Sequence, residues 1–364
     1  MRIVDCECIA AGFLLVAYLS VGSPARVSAT QLHVPSQYPT IQAALAVAGY
    51  SDTIVLAAGN YSGPGFTDLS NMSRWYGVLI APEGPEKTIV DLEGNRFFTG
   101  ALAARGITLR NGSTAVTSND PDLRECHFES SVVAIRQPPA YSNFMDVISS
   151  VFAGNDTAII TDGPWDAFML DCVFLQNGIG VFLYAGPETH VEVALSTFAY
   201  NGKCLQNLSS HWVEYCAFYR NDSVGQGLWV GCQLFWENGD SVNNQNSSSR
   251  GDSSTFIFAD PLFCDTTLAA GGKVSIYSPV LPTNSGCDFV VGSSSVGCSC
   301  GDADMSHEIN VADLTFLVGY LFQGGPAPAP TEAGEMDGQA GVYITDLTYI
   351  IDFLFLGGPA PLCP

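Results

Sequence analysis

A short motif, Phe-x-x-Asn, recurs at near-regular spacing through the middle of the chain and limits its possible folds more than any other feature. A period of about 20 residues indicates a solenoid, in which each repeat adds one coil and buries its apolar side chains against neighbouring coils. An earlier, degenerate copy has Phe128 in the Phe position and Ser131 in the Asn position. The full copies are Phe152/Asn155, Phe174/Asn177, Phe198/Asn201, Phe218/Asn221 and Phe235/Asn238.

The residues around the motif favour coils of short β-strands over a helical solenoid, because strand-forming residues and Gly-Asn turns dominate each repeat. We expect the Phe rings to stack from coil to coil in the interior and the Asn side chains to form a ladder at the turn that follows. Cys126, Cys172 and Cys216 recur in one register of the repeat. We interpret them as small buried apolar residues.

Two segments near the N-terminus, residues 34–45 and 51–61, predict a short amphipathic helix followed by a strand and a tight turn. This arrangement resembles the N-terminal cap of right-handed parallel β-helix proteins of the pectin-lyase-like group, where the cap covers the sheet edge of the first coil. The resemblance implies a mainly β fold, with a right-handed parallel β-helix solenoid over residues 30–290. Residues 261–263 and 278–281 resemble the closing coils of this group.

The C-terminal part of the chain contains one segment twice, since residues 313–328 recur with matching apolar positions as residues 346–361. In each copy apolar residues fall at i, i+3, i+4 and i+7, which predicts an amphipathic helix. A Gly-Gly-Pro sequence then ends each helix. Neither helix can bury its apolar stripe alone, so we expect the two helices to pack against each other.

Each copy follows a 12-residue loop with oxygen-bearing side chains at alternate positions, the ligand pattern that a calcium ion prefers. We therefore predict that each loop binds Ca²⁺, with Glu308 acting through its backbone carbonyl. A helical hairpin that has lost its metal is the alternative. The predicted ligands are Asp302, Asp304, Ser306, Glu308, Asn310 and Asp313 in the first loop, and Glu335, Asp337, Gln339 and Asp346 in the second.

Loops and helices together resemble the dockerin module of bacterial surface and cellulosome proteins, over residues 300–364. The resemblance implies a small α-helical domain with EF-hand-like loops that docks to a cohesin-like or cell-surface protein. It also implies that Val311-Ala312 and Ile344-Thr345 help to select that partner. The Ser-rich residues 291–299 are predicted to be a linker between the two domains.

Composition excludes some classes of partner. The net charge is −23 with only 13 Lys and Arg in 364 residues, so nucleic acids and anionic membrane surfaces are poor partners. Residues 1–29 read as a secretory signal peptide whose apolar region, residues 9–21, is too short to span a bilayer. We therefore expect a bacterial protein that is secreted or held at the cell surface, without membrane insertion.

An exported chain can form disulfides, and 10 of the 12 cysteines remain once Cys6 and Cys8 are removed with the leader. The sequence leaves their pairing open. A bond from Cys298 or Cys300 to Cys363 would join the two ends of the calcium module.

Catalytic residues are less clearly marked. Strand alternation predicts that Glu125 and Asp171, each three residues before an inward Phe, point outward two coils apart, or about 10 Å at the strand spacing. Paired carboxyl groups of inverting glycosidases lie at a similar separation, and Tyr215 in the same row would offer a platform for a sugar ring. The alternative is a pair of solvated acids on an exposed face, and no polygalacturonase-like signature accompanies them.

Two functions remain open from the sequence. The first is an exported, non-catalytic β-helix protein that binds glycan or cell-surface material and docks through its calcium module. The second is a polysaccharide-degrading enzyme, either a pectin-lyase-like lyase or a glycoside hydrolase, that carries the same module.

Overall fold

The computed structural model shows a parallel β-solenoid followed by a small helical unit, which confirms the coil architecture predicted from the repeat. Parallel strands pair between successive coils, so each coil hydrogen-bonds to the coil before and after it. The structure describes residues 29–70, 77–139, 144–162, 166–183, 191–208, 212–225, 228–239, 255–261, 273–275, 278–293, 295–298, 300–304, 306, 309–328, 331–359 and 361–362.

Three sheets form the walls of the solenoid. Sheet 1 has ten strands, in spatial order β1 (Gln31–Val34), β2 (Thr53–Leu56), β5 (Val78–Ile80), β8 (Leu102–Arg105), β11 (Pro121–Arg124), β14 (Met145–Ile148), β17 (Ala167–Leu170), β20 (Val191–Ala194), β23 (Trp212–Glu214) and β25 (Leu228–Val230). Sheet 2 also has ten, β3 (Gly59–Ser62), β6 (Thr88–Asp91), β9 (Thr108–Arg110), β12 (His127–Glu129), β15 (Val151–Ala153), β18 (Val173–Leu175), β21 (Thr197–Ala199), β24 (Ala217–Tyr219), β26 (Cys232–Trp236) and β27 (Thr255–Ile257). Sheet 3 has seven, β4 (Leu69–Ser70), β7 (Phe98–Thr99), β10 (Thr114–Thr117), β13 (Val133–Gln137), β16 (Thr157–Thr161), β19 (Ile179–Leu183) and β22 (Lys203–Gln206).

The N-terminal cap has the order that the sequence predicts. Helix α1 (Ile41–Leu45) follows β1, and the Thr40 hydroxyl accepts a hydrogen bond from the Ala43 N–H at its start. Ile41 and Ala44 are buried in the same apolar cluster as the first coils. The helix therefore closes the solenoid interior at its N-terminal end.

A column of stacked phenyl rings fills the interior behind sheet 2. Ring centroids are 5.0 Å apart between Phe128 and Phe152, and 4.5 Å apart between Phe174 and Phe198, with nearly parallel planes. The column continues through Phe218 to Phe235. Aromatic contacts of this kind add to the free energy gained from burying the rings, and they confirm the predicted Phe stack.

The Asn ladder lies at the turn between sheets 2 and 3. The Asn177 side chain donates from Nδ2 to the Phe152 carbonyl, and its Oδ1 accepts from both the backbone N–H and Nδ2 of Asn155. The same three bonds recur at the next coils through Asn238. Each buried amide thus satisfies backbone groups that the turn leaves unpaired.

Three buried thiols alternate with polar residues at the corner between sheets 1 and 2. Cys126 and Cys172 each donate a backbone N–H to the hydroxyl of the following coil, from Ser150 and Ser196. Burial raises the thiol pKa of Cys126 to about 11 and those of Cys172 and Cys216 to about 12. These cysteines are buried and unbridged, as the repeat register predicts.

Residues 278–293, here called the strap, cover part of the outer face of sheet 2. Strap residues Val280 and Val291 belong to one apolar cluster with Ala217 and Leu234 of sheet 2. A disulfide between Cys232 and Cys287 ties the strap to β26. Residues 278–281, which resemble a closing coil in sequence, lie in the strap, and it also contains the short helix α2 (Pro282–Ser285).

Gly292 marks the closest approach of the strap to the sheet. Its N–H donates to the Tyr215 carbonyl, and its φ of 86° lies in the left-handed region. A Cβ atom there would stand 2.6 Å from the Thr197 hydroxyl and 2.8 Å from the Ala217 methyl group. Only glycine satisfies both the backbone angle and the space. Strand β28 (Lys273–Ser275), which precedes the strap, pairs with β29 (Ser295–Cys298), which follows it.

The C-terminal unit consists of two helices whose apolar stripes face each other. Helix α3 (Val311–Gln323) and helix α4 (Ile344–Ile351) contribute Leu317 and Ile350 to one buried cluster. Helix α3 ends at Gly324, and a π-helical turn (Asp352–Leu356) after α4 ends at Gly357, both with left-handed φ. The packing and the Gly-Gly-Pro stops are as predicted.

The two halves of this unit are also joined outside the helices. The Gly301 N–H donates to the Ala333 carbonyl at 2.9 Å, within the 3₁₀ turn Thr331–Gly334 that precedes the second loop. Cys300 is disulfide-bonded, whereas Cys363, the partner suggested for Cys298 or Cys300, lies outside the described residues. Across the described residues, no helix has the length and apolar character needed to cross a bilayer.

The Asn ladder gives a first prediction. Asn201→Leu removes the acceptor of the Asn177 N–H and the donor to the Phe174 carbonyl. Two buried backbone groups are then unsatisfied, and we expect the free energy of unfolding to fall by roughly 2–5 kcal/mol. Denaturant titration measures the change. Asn95→Ala, at an exposed position, is the control, and equal midpoints for the two variants would refute the structural role of the ladder.

The strap gives a second prediction. Replacing both Cys232 and Cys287 by Ala removes the bond that holds the strap, and we expect a loss of about 2–4 kcal/mol. Hydrogen exchange should show the Gly292 amide losing protection while the Asn177 amide keeps it. If the Gly292 amide exchanges as slowly as in the parent protein, packing alone holds the strap.

Candidate metal loops and an outer sheet face

The first loop brings three predicted ligands together. Oxygens of Asp302, Asp304 and Asp313 all lie within 4.8 Å of one another, close enough to share one metal ion. Asp302 and Asp313 are fully buried, while Asp304 is half-buried. Such a set of oxygen ligands suits a hard divalent cation.

Backbone hydrogen bonds hold these carboxylates in place. The Asp304 N–H donates to Asp313 Oδ1 at 3.1 Å, and the Asn310 N–H donates to Asp313 Oδ2 at 2.8 Å. The Ser306 N–H donates to Asp302 Oδ1 at 2.8 Å. Asn310 and Asp313 together form the capping box of α3. One carboxylate thus belongs both to the loop and to the first turn of the helix.

The carboxylates of the first loop repel one another. Burial raises the pKa of Asp313, and the nearby carboxylates of Asp304 and Asp302 raise it further. The pKa of Asp304 is lowered, chiefly by the hydrogen bond from Ser306. A cation placed among these three carboxylates would relieve this repulsion.

The second loop repeats the first in detail. The Asp337 N–H donates to Asp346 Oδ1 at 3.3 Å and the Tyr343 N–H to Asp346 Oδ2 at 2.7 Å, as Asp304 and Asn310 do to Asp313. The Gln339 N–H donates to Asp337 Oδ1, just as the Ser306 N–H donates to Asp304 Oδ1 in the first loop. The equivalence shows that the two loops share one backbone design.

Glu335, at the first position of the second loop, has an unsatisfied oxygen. Its Oε1 accepts from the Gly341 N–H at 2.6 Å, whereas Oε2 is buried without a hydrogen-bond partner. The residue is only 4% exposed. A buried, unpartnered carboxylate oxygen is costly, and an ion in this loop would satisfy it. The donor set of the first loop therefore fits a metal ion, whereas among the described residues the acids of the second loop do not converge in the same way, and the unsatisfied Glu335 oxygen is what points to an ion there.

The remaining predicted ligands are less well placed. The Asn310 side chain accepts from the Ala312 N–H as a helix cap, and Gln339 is exposed. Glu308 lies outside the described residues.

The predicted catalytic pair occupies a corner of the coil rather than a strand. Glu125 and Asp171 have φ values of 53° and 55°, so each lies in a left-handed turn between sheets 1 and 2. Both side chains reach the surface, as expected. The left-handed corner directs them outward, however, and not the alternation of a strand. Ser149, on the coil between them, donates its hydroxyl to Asp171 Oδ2 at 2.8 Å.

Tyr215 lies in the same row but is not an open platform. Its ring packs edge-on against Phe289 of the strap, with ring centroids 5.2 Å apart. It also lies so close to Gly231 that a Cβ atom there would stand 2.5 Å from the Tyr215 Cζ. This contact corrects the expectation of a sugar-stacking ring, because the strap, which is distant in sequence, occupies one side of it.

The outer face of sheet 1 is a second candidate site that the sequence analysis missed. We define the carboxylate–aromatic face as the outward residues of β14, β17, β20 and β23. Phe168, Glu192 and Trp212 are direct neighbours in one column of this face. Leu170, Ala194 and Glu214 form the adjacent column. The Phe-x-x-Asn motif lies on sheet 2 and not on these strands of sheet 1. Which residues of sheet 1 point outward is therefore clear only once the corner between the two sheets is located.

Two carboxyl groups of the face, those of Glu214 and Asp146, have raised pKa values. Burial raises the pKa of Glu214, and the charge of Glu192 raises it further. At the other end, burial and then Asp122 raise the pKa of Asp146. Trp212 is 43% exposed and Leu170 is 38% exposed. The face thus combines exposed apolar and aromatic surface with carboxylates that repel one another.

Comparison with protein-family models gives no match for this chain, and comparison with curated proteins gives no significant match.

Proposed function

We propose that this chain is an exported protein whose right-handed, pectin-lyase-like β-helix binds glycan or cell-surface material, and whose residues 300–364 form a calcium-dependent dockerin-like module. The observation that carries the proposal is the repeated loop design, with three carboxylates converging in one loop and an unsatisfied buried Glu335 oxygen in the other. The proposed signal peptide, residues 1–29, lies almost wholly outside the described residues.

Calcium is the metal that suits these loops best, because the donors are oxygens without a described His or Cys among them. Asp302, Asp304 and Asp313 would supply carboxylates to the first ion, with Ser306, Glu308 and Asn310 completing the loop. Glu335, Asp337, Gln339 and Asp346 would hold the second ion. The ion's contribution is to neutralise clustered charge and fix the loop conformation.

Metal binding would in turn order the docking surface. Asp313 and Asp346 sit in the first turns of α3 and α4, so fixing their carboxylates also fixes where the helices begin. Val311 and Ile344, at equivalent positions in the two repeats, are 54% and 58% exposed. Phe322 and Phe355 are a second equivalent exposed pair. These apolar groups favour a protein partner, of the cohesin-like or cell-surface kind.

The glycan role of the solenoid is supported by the carboxylate–aromatic face. Aromatic rings offer flat apolar surface to a sugar ring, and carboxylates accept hydrogen bonds from its hydroxyl groups. The competing function is a lyase or hydrolase, and it is favoured by the common row and two-coil separation of Glu125 and Asp171.

Calcium titration tests the module. Adding Ca²⁺ to the chelator-treated protein should raise the stability of the C-terminal helices, by about 2.7 kcal/mol at a concentration 100-fold above Kd. Isothermal titration and the helical circular-dichroism signal report uptake and ordering. Asp304→Asn combined with Asp337→Asn should weaken uptake at least tenfold. Asp156→Asn, an exposed acid on the solenoid, is the matched control. Absence of uptake by the parent protein would eliminate the calcium module.

A polysaccharide panel separates binding from catalysis. We expect the protein to co-sediment with at least one glycan while releasing neither unsaturated ends, which absorb ultraviolet light, nor new reducing ends. Unsaturated ends would establish a lyase and new reducing ends a hydrolase. In either case Glu125→Gln and Asp171→Asn should be assayed, because loss of product in both variants would identify these two carboxyl groups as catalytic.

A further inference from the structure

We infer that the carboxylate–aromatic face binds a cationic polysaccharide, one whose sugars bear free amino groups. The inference rests on the proposed glycan-binding function and specifies the class of glycan. It follows from the kinds of groups on this face, their register on neighbouring strands and the mutual repulsion of their carboxylates.

The arrangement of the aromatic groups fits an extended chain. Phe168 and Trp212 lie in one column with Glu192 between them, so their backbones are two strand spacings, roughly 10 Å, apart along the solenoid axis. Leu170 widens the apolar surface beside Phe168. A sugar chain running along the axis would meet rings and a carboxylate in alternation.

The polar groups of the face are almost entirely acceptors. Glu192 and Glu214 are acceptors when ionised, and the only side-chain donor among the outward residues of these four strands is the Trp212 indole N–H. Acceptors of this kind favour a ligand rich in donors. An ammonium group offers three donors and forms charge-assisted hydrogen bonds with carboxylates, which are stronger than those from a neutral hydroxyl.

The charge of the face also favours a cation. The raised pKa of Glu214 reflects repulsion from Glu192 in addition to burial, and a bound ammonium group would relieve that repulsion. At the N-terminal end of the face the nearest cations, Arg105 and Arg124, both bind Asp122. With a net charge of −23, the protein as a whole repels uronate and sulfated chains.

Titration calorimetry of the full chain without its leader, in the presence of calcium, tests the inference. The ligands are the hexamers of glucosamine, N-acetylglucosamine, glucose and galacturonate, at a pH where carboxyl groups are ionised and amino groups protonated. We expect the glucosamine hexamer to bind at least tenfold more tightly than the N-acetylglucosamine hexamer, and the galacturonate hexamer not to bind. Added salt should weaken the preferred complex.

Variants identify the face. Glu192→Gln with Glu214→Gln should weaken glucosamine binding at least tenfold and reduce its salt dependence. Trp212→Ala should weaken it about tenfold, whereas Trp212→Phe should retain most of it. Asp156→Asn and Tyr50→Ala, which remove an exposed acid and an exposed ring elsewhere, should leave binding unchanged. Thermal melts of each variant confirm that the solenoid is folded.

The outcomes separate this inference from the broader proposal. Equal binding of the neutral and amino hexamers would overturn the cationic class while leaving glycan binding intact. Equal binding of polylysine, unaffected by Trp212→Ala, would show a non-specific acidic surface and would also overturn the inference. If neither the hexamers nor any glycan in the polysaccharide panel binds, both the inference and the glycan role fail.

Discussion

The register between coils is the constraint on which the rest of this structure depends. Parallel pairing sets each coil one strand spacing above the last, about 4.8 Å, so equivalent residues repeat at a distance that suits both ring stacking and amide hydrogen bonding. A slip of one residue would move Phe174 from the core to the surface. It would also separate Asn177 from the carbonyl and N–H groups that it satisfies.

The corners between the sheets carry a backbone cost that the register has to offset. Leu195 and Tyr200 adopt left-handed φ values near 50° although neither is glycine, and the same corners recur at every coil from Glu125 onward. Left-handed backbone is unfavourable by roughly 1–2 kcal/mol per residue. The buried Asn side chains and the Phe column offset this cost, because they stabilise the turn only when the corner angle is kept. The sharp bends are therefore a consequence of side-chain repetition and not of local flexibility.

Local and repeated signals were readable in the sequence, and the non-local ones were not. The Phe stack, the Asn ladder, the buried Cys126 row and the glycine stops of the C-terminal helices each follow from spacing alone. The strap could not be predicted, because nothing in residues 278–293 indicates that Ser293 contacts Thr197, 96 residues earlier. For the same reason Tyr215 was misread as an open platform. The catalytic pair was correctly placed outward but for the wrong reason, since alternation does not continue through a left-handed corner.

Both candidate sites are built from carboxylates, and the distances between them decide what each can bind. In the first loop, backbone donors draw oxygens of Asp302, Asp304 and Asp313 within 4.8 Å of one another, where a single small cation can bridge them. On sheet 1 the strand geometry separates Glu192 and Glu214 diagonally, at roughly 7–8 Å between backbones. Carboxylates spaced in this way and alternating with Trp212 face an extended ligand as independent acceptors. The same acidic composition therefore supports ion capture where the backbone is a tight loop, and recognition of a longer charged chain where the backbone is a sheet.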